Sequence, residues 1–176
     1  GQGLAAGIRE EAQLLQPLRA AADHVIDTTR FNVHELKAAI VDKIRGHRPL
    51  TPMQVHVLSF GFKYGPAVEA DLLVDVRFLR NPYFVPELKP LDGEHPAIRQ
   101  YVLDTPEARA LIAKYTDLVD YLLPLYEREG KSHLTIAVGC TGGRHRSVAI
   151  ARALHDHIAA RRPQVDLIHR DIQQPH

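Results

Sequence analysis

The chain has 176 residues, 45% of them apolar and 24% charged, enough for one ordinary hydrophobic core with a short appendage; these proportions exclude a disordered polymer and a fibrous repeat. With 22 Lys and Arg against 21 Asp and Glu there is no global field to draw the molecule to nucleic acid or an anionic membrane, so any anion site has to be local. Cys140 is the only cysteine, which excludes an internal disulfide and a zinc site of paired cysteines, and no apolar run reaches membrane-spanning length, so the expected compartment is the reducing cytoplasm, with no membrane partner.

From the N-terminus, residues 4–19 read as a helix with Ile8, Leu15 and Leu18 apolar, and Pro17 marks a bend or an end. A short strand is expected at 24–27. Asn32 followed three positions later by Glu35 has the spacing of a capping box, opening a helix with Val33, Leu36, Ile40 and Ile44 on one face and Gly46 as its stop. Such a helix-strand-helix unit is too small to bury its own faces, so residues 1–46 are expected to be part of a larger domain. Breakers and polar groups at 47–52 have the composition of a linker, and the main domain is expected to run over 53–176.

That domain begins with β-rich runs at 55–62 and 71–78, with Gly65-Pro66 supplying turn chemistry between them. Residues 80–96 hold four prolines and one glycine, the composition of an irregular loop that carries functional groups. Thr105-Pro106 starts a helix in which Leu111, Tyr115, Leu118, Leu122 and Leu125 recur at helical steps, with a kink expected at Pro124 and an end at Gly130. A strand at 133–139 follows, then a helix from near His145 with Ile150, Ala151, Leu154 and Ile158 inward, then a strand at 165–168. The order predicts an α/β fold with a central sheet flanked by helices.

The segment Cys140-Thr141-Gly142-Gly143-Arg144-His145-Arg146-Ser147 joins an apolar strand to a helix through small residues, which is how phosphate sites are built. Gly142 and Gly143 permit backbone conformations that aim N–H groups inward, and the helix adds its unsatisfied donors and positive end. Arg146 can present a two-pronged fork to a phosphate, with His145 or Thr141 fixing its orientation. Cys140, five residues, then Arg146-Ser147 also has the spacing of a cysteine-dependent phosphatase loop, the alternative reading, although Gly139 stands where that class has histidine and no motif supplies a general acid. A second constellation, Asp75 and Arg77 on one strand face with Asn81 and Tyr83 beyond, could offer acceptors and donors to sugar hydroxyls, or Asp75 and Arg77 could pair with each other. Lys63 is a weaker candidate. The 11 histidines show no metal-ligand spacing, and no metal site is expected.

Several of these segments together resemble the C-terminal domain of the RapZ/YvcJ family of bacterial regulators: Ser59-Phe60-Gly61-Phe62-Lys63-Tyr64-Gly65, Asp75-Val76-Arg77-Phe78, Asn81-Pro82 and Gly139-Cys140-Thr141-Gly142-Gly143 followed by His145-Arg146-Ser147-Val148. The stretch from Ile8 to Thr28 is similar to the end of that family's P-loop domain. The resemblance implies a main domain like part of phosphofructokinase, and ATP or GTP binding by the full-length protein; no G-x-x-x-x-G-K-[ST] occurs here, so this chain is expected to carry no nucleotide cofactor and to be no enzyme by itself. It further implies an amino-sugar phosphate such as glucosamine-6-phosphate as ligand, its phosphate on Thr141, Gly142, Gly143, His145 and Arg146 and its sugar near Asp75, Arg77 and Asn81. Small regulatory RNA, an RNase and further copies of the chain are the implied partners.

Overall fold

A computed structural model of the chain describes residues 3–45 and 53–174; Gly46, the expected linker at 47–52 and the side chain of Ile44 lie outside the described residues. The chain divides into two compact units, residues 1–50 and 51–176. In the first, the expected single helix is two, α1 (Leu4–Leu14) and α2 (Gln16–Ala21). Pro17 lies in the first turn of α2, where its missing N–H is harmless. No strand forms at 24–27, since a lone strand has no ladder to complete its backbone hydrogen bonds. Asp27 instead accepts from the Thr29 amide at 2.9 Å in a local turn. The capping box does form: the Glu35 amide donates to Asn32 Oδ1 and the Asn32 amide to Glu35 Oε2, both at 2.9 Å, opening α3 (Val33–Arg45). Leu4, Ile8, Leu14, Leu18 and Val33 are all exposed, so these helices display apolar faces that they do not bury among themselves.

The second unit is built on four parallel strands, β1 (Gln54–Gly61), β2 (Leu72–Asp75), β3 (His133–Cys140) and β4 (Val165–His169), in the order β2-β3-β1-β4. Alternation along β1 and β3 sends Val55, Val57, Leu134, Ile136 and Val138 to one face and Leu58, Phe60 and Ala137 to the other. Helices α4 (Pro96–Leu103), α5 (Pro106–Glu129) and α6 (Arg146–Ala159) cover the first face through Ile98, Val102, Val119, Leu123, Ile150, Leu154 and Ile158. Each such side chain taken from water stabilises the fold by about 1.5–3 kcal/mol. The opposite face is covered by residues 62–71, with Phe62, Ala67 and Ala70 against Leu58 and Phe60.

Several local expectations are corrected. β2 stops at Asp75 rather than 78, because Asp75 Oδ1 accepts from the Arg77 amide at 2.9 Å and turns the chain. Helix α4 occupies a stretch expected to be loop at its start; His95 caps it, accepting from the Ala97 amide, and Ile98 and Val102 form its buried stripe. α5 starts where Thr105 Oγ1 accepts from the Ala108 amide, and ends at Gly130 in the left-handed region (φ 88°). It runs through Pro124 without a break, and its buried side is Ala108, Thr116, Val119 and Leu123; Leu118, expected inward, is exposed.

Candidate functional site

The connection after β1 runs over one face of the sheet and the connection after its neighbour β3 enters α6 on the other. The ends of adjacent strands thus diverge, which is where open parallel sheets hold ligands. A cleft of about 420 Å³ opens at that point, floored by Cys140, Thr141 and Gly142 after β3 and walled by Lys63 and Tyr64 after β1. The two turns approach so closely that a Cβ on Gly61 would lie 2.6 Å from the Gly142 carbonyl carbon, and one on Gly143 would lie 2.6 Å from the Gly61 nitrogen. Gly143 also has φ +72°, a left-handed conformation that glycine adopts without penalty.

The site is tied together from behind. Asp171, 3% exposed, accepts the Gly61 amide at 2.7 Å, and Arg170 donates both to Asp171 and to the carbonyl of Gly65 at 2.7 Å, fixing the turn that carries Lys63 and Tyr64. Arg144 donates to the carbonyls of Pro90 and Ile172, His145 Nε2 lies 2.7 Å from the Leu91 carbonyl, and the Gly93 amide donates to the Arg144 carbonyl. Residues 90–93 are thereby strapped to the glycine loop. His145, which the sequence offers as a phosphate ligand, lines the cleft while its Nε2 serves this strap.

Helix α6 begins at this floor with no side-chain cap on its N-terminus, unlike α4 and α5. The Arg146 guanidinium is buried beside it, 5% exposed. Its Nη1 donates to the carbonyls of Arg77 at 2.5 Å and Leu79 at 3.3 Å, its Nη2 to Thr141 Oγ1 at 3.3 Å, and its Nε is buried without a partner among the described residues. Burial pushes its pKa down, while Cys140 and Asp75 nearby pull it back up. A helix start without a side-chain cap beside a desolvated guanidinium is an arrangement able to stabilise an anion. Cys140 Sγ accepts the Gly143 amide at 3.2 Å and lies 3.1 Å from Ser147 Oγ; the sulfur is nearly buried and Ser147 fully so. No Asp or Glu lines the cleft among the described residues, so a phosphatase reaction at Cys140 has no carboxylic acid there to protonate a leaving group.

Of the other predicted residues, Lys63, Asn81 and Tyr83 line the cleft, and Gly143 and Ser147 lie behind its floor. Asp75 and Arg77 do not line it. They pair with each other, Arg77 Nη2 to Asp75 Oδ2 at 2.6 Å, and the hydrogen bonds from Arg77 hold the Asp75 carboxyl below its ordinary value. Tyr64, Phe84, Arg144 and Gln174 also line the cleft, and the sequence reading had not assigned them to it. Among the described residues no cluster of His, Cys, Asp and Glu could hold a metal ion, and no helix is long and apolar enough to cross a membrane.

Comparison with known families matches residues 53–173 to the RapZ C-terminal domain and residues 2–48 to the RapZ-like N-terminal domain. The chain belongs to the RapZ family. A nucleotide-binding protein of Desulforapulum autotrophicum is 50% identical over 175 residues, 98% of this chain and 59% of its own length. Nucleotide-binding proteins of Geobacter metallireducens and Geobacter sulfurreducens are each 48% identical, over 96% and 94% of this chain and 59% and 58% of their own lengths. The chain thus spans about three-fifths of the curated relatives it matches. Every cleft residue except Gln174 falls within the RapZ C-terminal match.

Proposed function

We propose that the cleft binds the phosphate of a small phosphorylated metabolite, and that residues 53–176 form the sensing domain of a longer cytoplasmic regulator. The observation that carries the reading is the uncapped start of α6 beside the buried Arg146 guanidinium, whose Nε has no partner among the described residues. An anion seated over Thr141 and Gly142 would meet the uncapped start of the helix and its positive end, and water displaced from the floor would strengthen the attraction. The family resemblance names the metabolite as an amino-sugar phosphate, glucosamine-6-phosphate or a close analogue. It also names the regulatory setting: nucleotide bound by the P-loop domain whose end residues 1–46 resemble, a small regulatory RNA and an RNase as partners, and self-association. The relatives, themselves named as nucleotide-binding proteins, support the nucleotide.

Arg146→Ala would remove the contacts to Arg77 and Leu79 as well as any ligand contact, so the better test is at Gly142, where an added Cβ meets nothing within 4 Å and φ is not positive. Gly142→Asp places a carboxylate in the anion's seat. Calorimetry with glucosamine-6-phosphate is expected to show binding to the unaltered chain and at least about tenfold weaker binding to the variant, the scale of one lost charge-assisted contact turned repulsive. Equal binding by the two would remove the glycine loop from the account.

A further inference from the structure

The phosphate end of the cleft leaves open what holds the rest of the ligand, and here the structure chooses between the two readings that the sequence offers for Asp75 and Arg77. Asp75 and Arg77 are spent on each other and stand outside the cleft. What faces the anion seat instead is the short 3-10 turn Pro82–Phe84. The turn is rigidly framed: Pro82 is buried, Asn81 Oδ1 accepts the Tyr83 amide at 3.3 Å, and the Val85 amide donates to the Pro82 carbonyl at 3.0 Å. Lys89 Nζ lies over the Tyr83 ring at 4.4 Å, and the Tyr83 and Phe84 rings meet edge to face, 5.7 Å apart and at 86°. Phe84 lines the cleft and is 79% exposed, so most of its ring stays open to a ligand beside the contact with Tyr83.

We propose that Phe84 is the platform for the ring of a ring-bearing phosphate monoester whose phosphate sits on the glycine loop, with the amides of Asn81 and Gln174 as the polar contacts of that ring. This rests on the phosphate reading above and specifies the other half of the same site. The chemistry favours a stacked ring over a hydroxyl-binding carboxylate, because among the described residues the cleft lining holds no Asp or Glu. The Asn81 carbonyl oxygen is already engaged with Tyr83, which leaves its NH2 as the side-chain donor. An apolar ring face laid on Phe84 removes exposed aromatic surface from water, while the amides read the ring's edge. Gln174 brings the C-terminal segment into recognition; its backbone N–H donates to the Asp171 carbonyl, so that segment is anchored to the residue that also fixes Gly61.

The test compares a hexosamine 6-phosphate, a nucleoside monophosphate, glycerol 3-phosphate and inorganic phosphate by calorimetry on the unaltered chain, Phe84→Ala and Asp75→Asn. The ring-bearing monoesters are expected to bind more tightly than glycerol 3-phosphate. Phe84→Ala should erase that preference, a loss of about fivefold for one aromatic contact, while leaving inorganic phosphate unaffected. Asp75→Asn should keep it. Which of the two ring compounds gains more identifies the ring as pyranose or heteroaromatic. A preference that survives Phe84→Ala or vanishes in Asp75→Asn overturns the platform but leaves the phosphate seat standing. Binding of none of the four refutes the phosphate reading and the platform together.

Discussion

Gly142 and Gly143 are neighbours of the same type, and the structure gives them opposite tolerance. Alanine at 143 meets two obstacles: φ of +72° puts its backbone in the left-handed region, and its Cβ would stand 2.6 Å from the Gly61 nitrogen and 2.8 Å from the Asp171 Cβ. The first costs about 1–2 kcal/mol. The second forces apart backbone and a buried side chain that have little freedom to move, which adds about 1–3 kcal/mol. Gly143→Ala should therefore destabilise the domain by about 2–5 kcal/mol, a large part of the roughly 5–15 kcal/mol that holds such a fold. Alanine at 142 meets nothing within 4 Å and no positive φ, so its effect should stay within about 0.5 kcal/mol. Urea titration followed by circular dichroism, with midpoint and slope fitted for each variant, measures both. Comparable midpoints for the two variants would mean that the glycine loop and the end of β1 are not in the close register described.

Tyr115 on α5 has its hydroxyl buried with no partner among the described residues, and burial, with Tyr126 beside it, raises its pKa to about 12. Tyr115→Phe should therefore be neutral or stabilising, by up to about 1 kcal/mol or roughly 2–4 °C in Tm, and a clear drop in a thermal melt would reveal a partner for that hydroxyl. Five carboxyls among the described residues are held below their ordinary values: Asp27, Asp75 and Glu127 by hydrogen bonds from Thr29, Arg77 and Arg162, and Asp71 and Glu94 by Lys131 and by Arg152 with His169 in spite of burial, which pushes the other way. A depressed folded-state pKa means that the unfolded chain takes up protons first on acidification. The contribution is then complete above the ordinary carboxylate range and lost as pH falls through the folded values. Urea midpoints should be level from pH 7 to about 5 and fall below about pH 4.5; a midpoint that rises on acidification would contradict these pairings.

Elements whose stability is local were legible. The α3 capping box, the Thr105 cap and the Gly130 stop are each set by residues a few positions apart, and each formed as read. The strand expected at 24–27 failed for the opposite reason, since apolar character supplies no partner for a ladder. α4 was hidden because Pro86, Pro90 and Pro96 all read as loop, whereas Pro96 stands in a first helical turn, where proline starts a helix. At the site, the glycine loop could be read because strand, glycines, arginine and helix are contiguous. What fixes it could not: Asp171 lies 110 residues from Gly61, and Arg170 lies 105 from Gly65. Only the pairing of β4 beside β1 brings them together. The same limit explains Asp75 and Arg77. Two residues apart on one expected strand face, they could meet a ligand or each other, and an aspartate able to accept the amide two residues on decides for the pair, ending its own strand and turning the arginine back onto itself. Local chemistry decided that pair, while the cleft wall was decided by Phe84, which carries no motif and becomes a candidate only once the end of β3 is set opposite it.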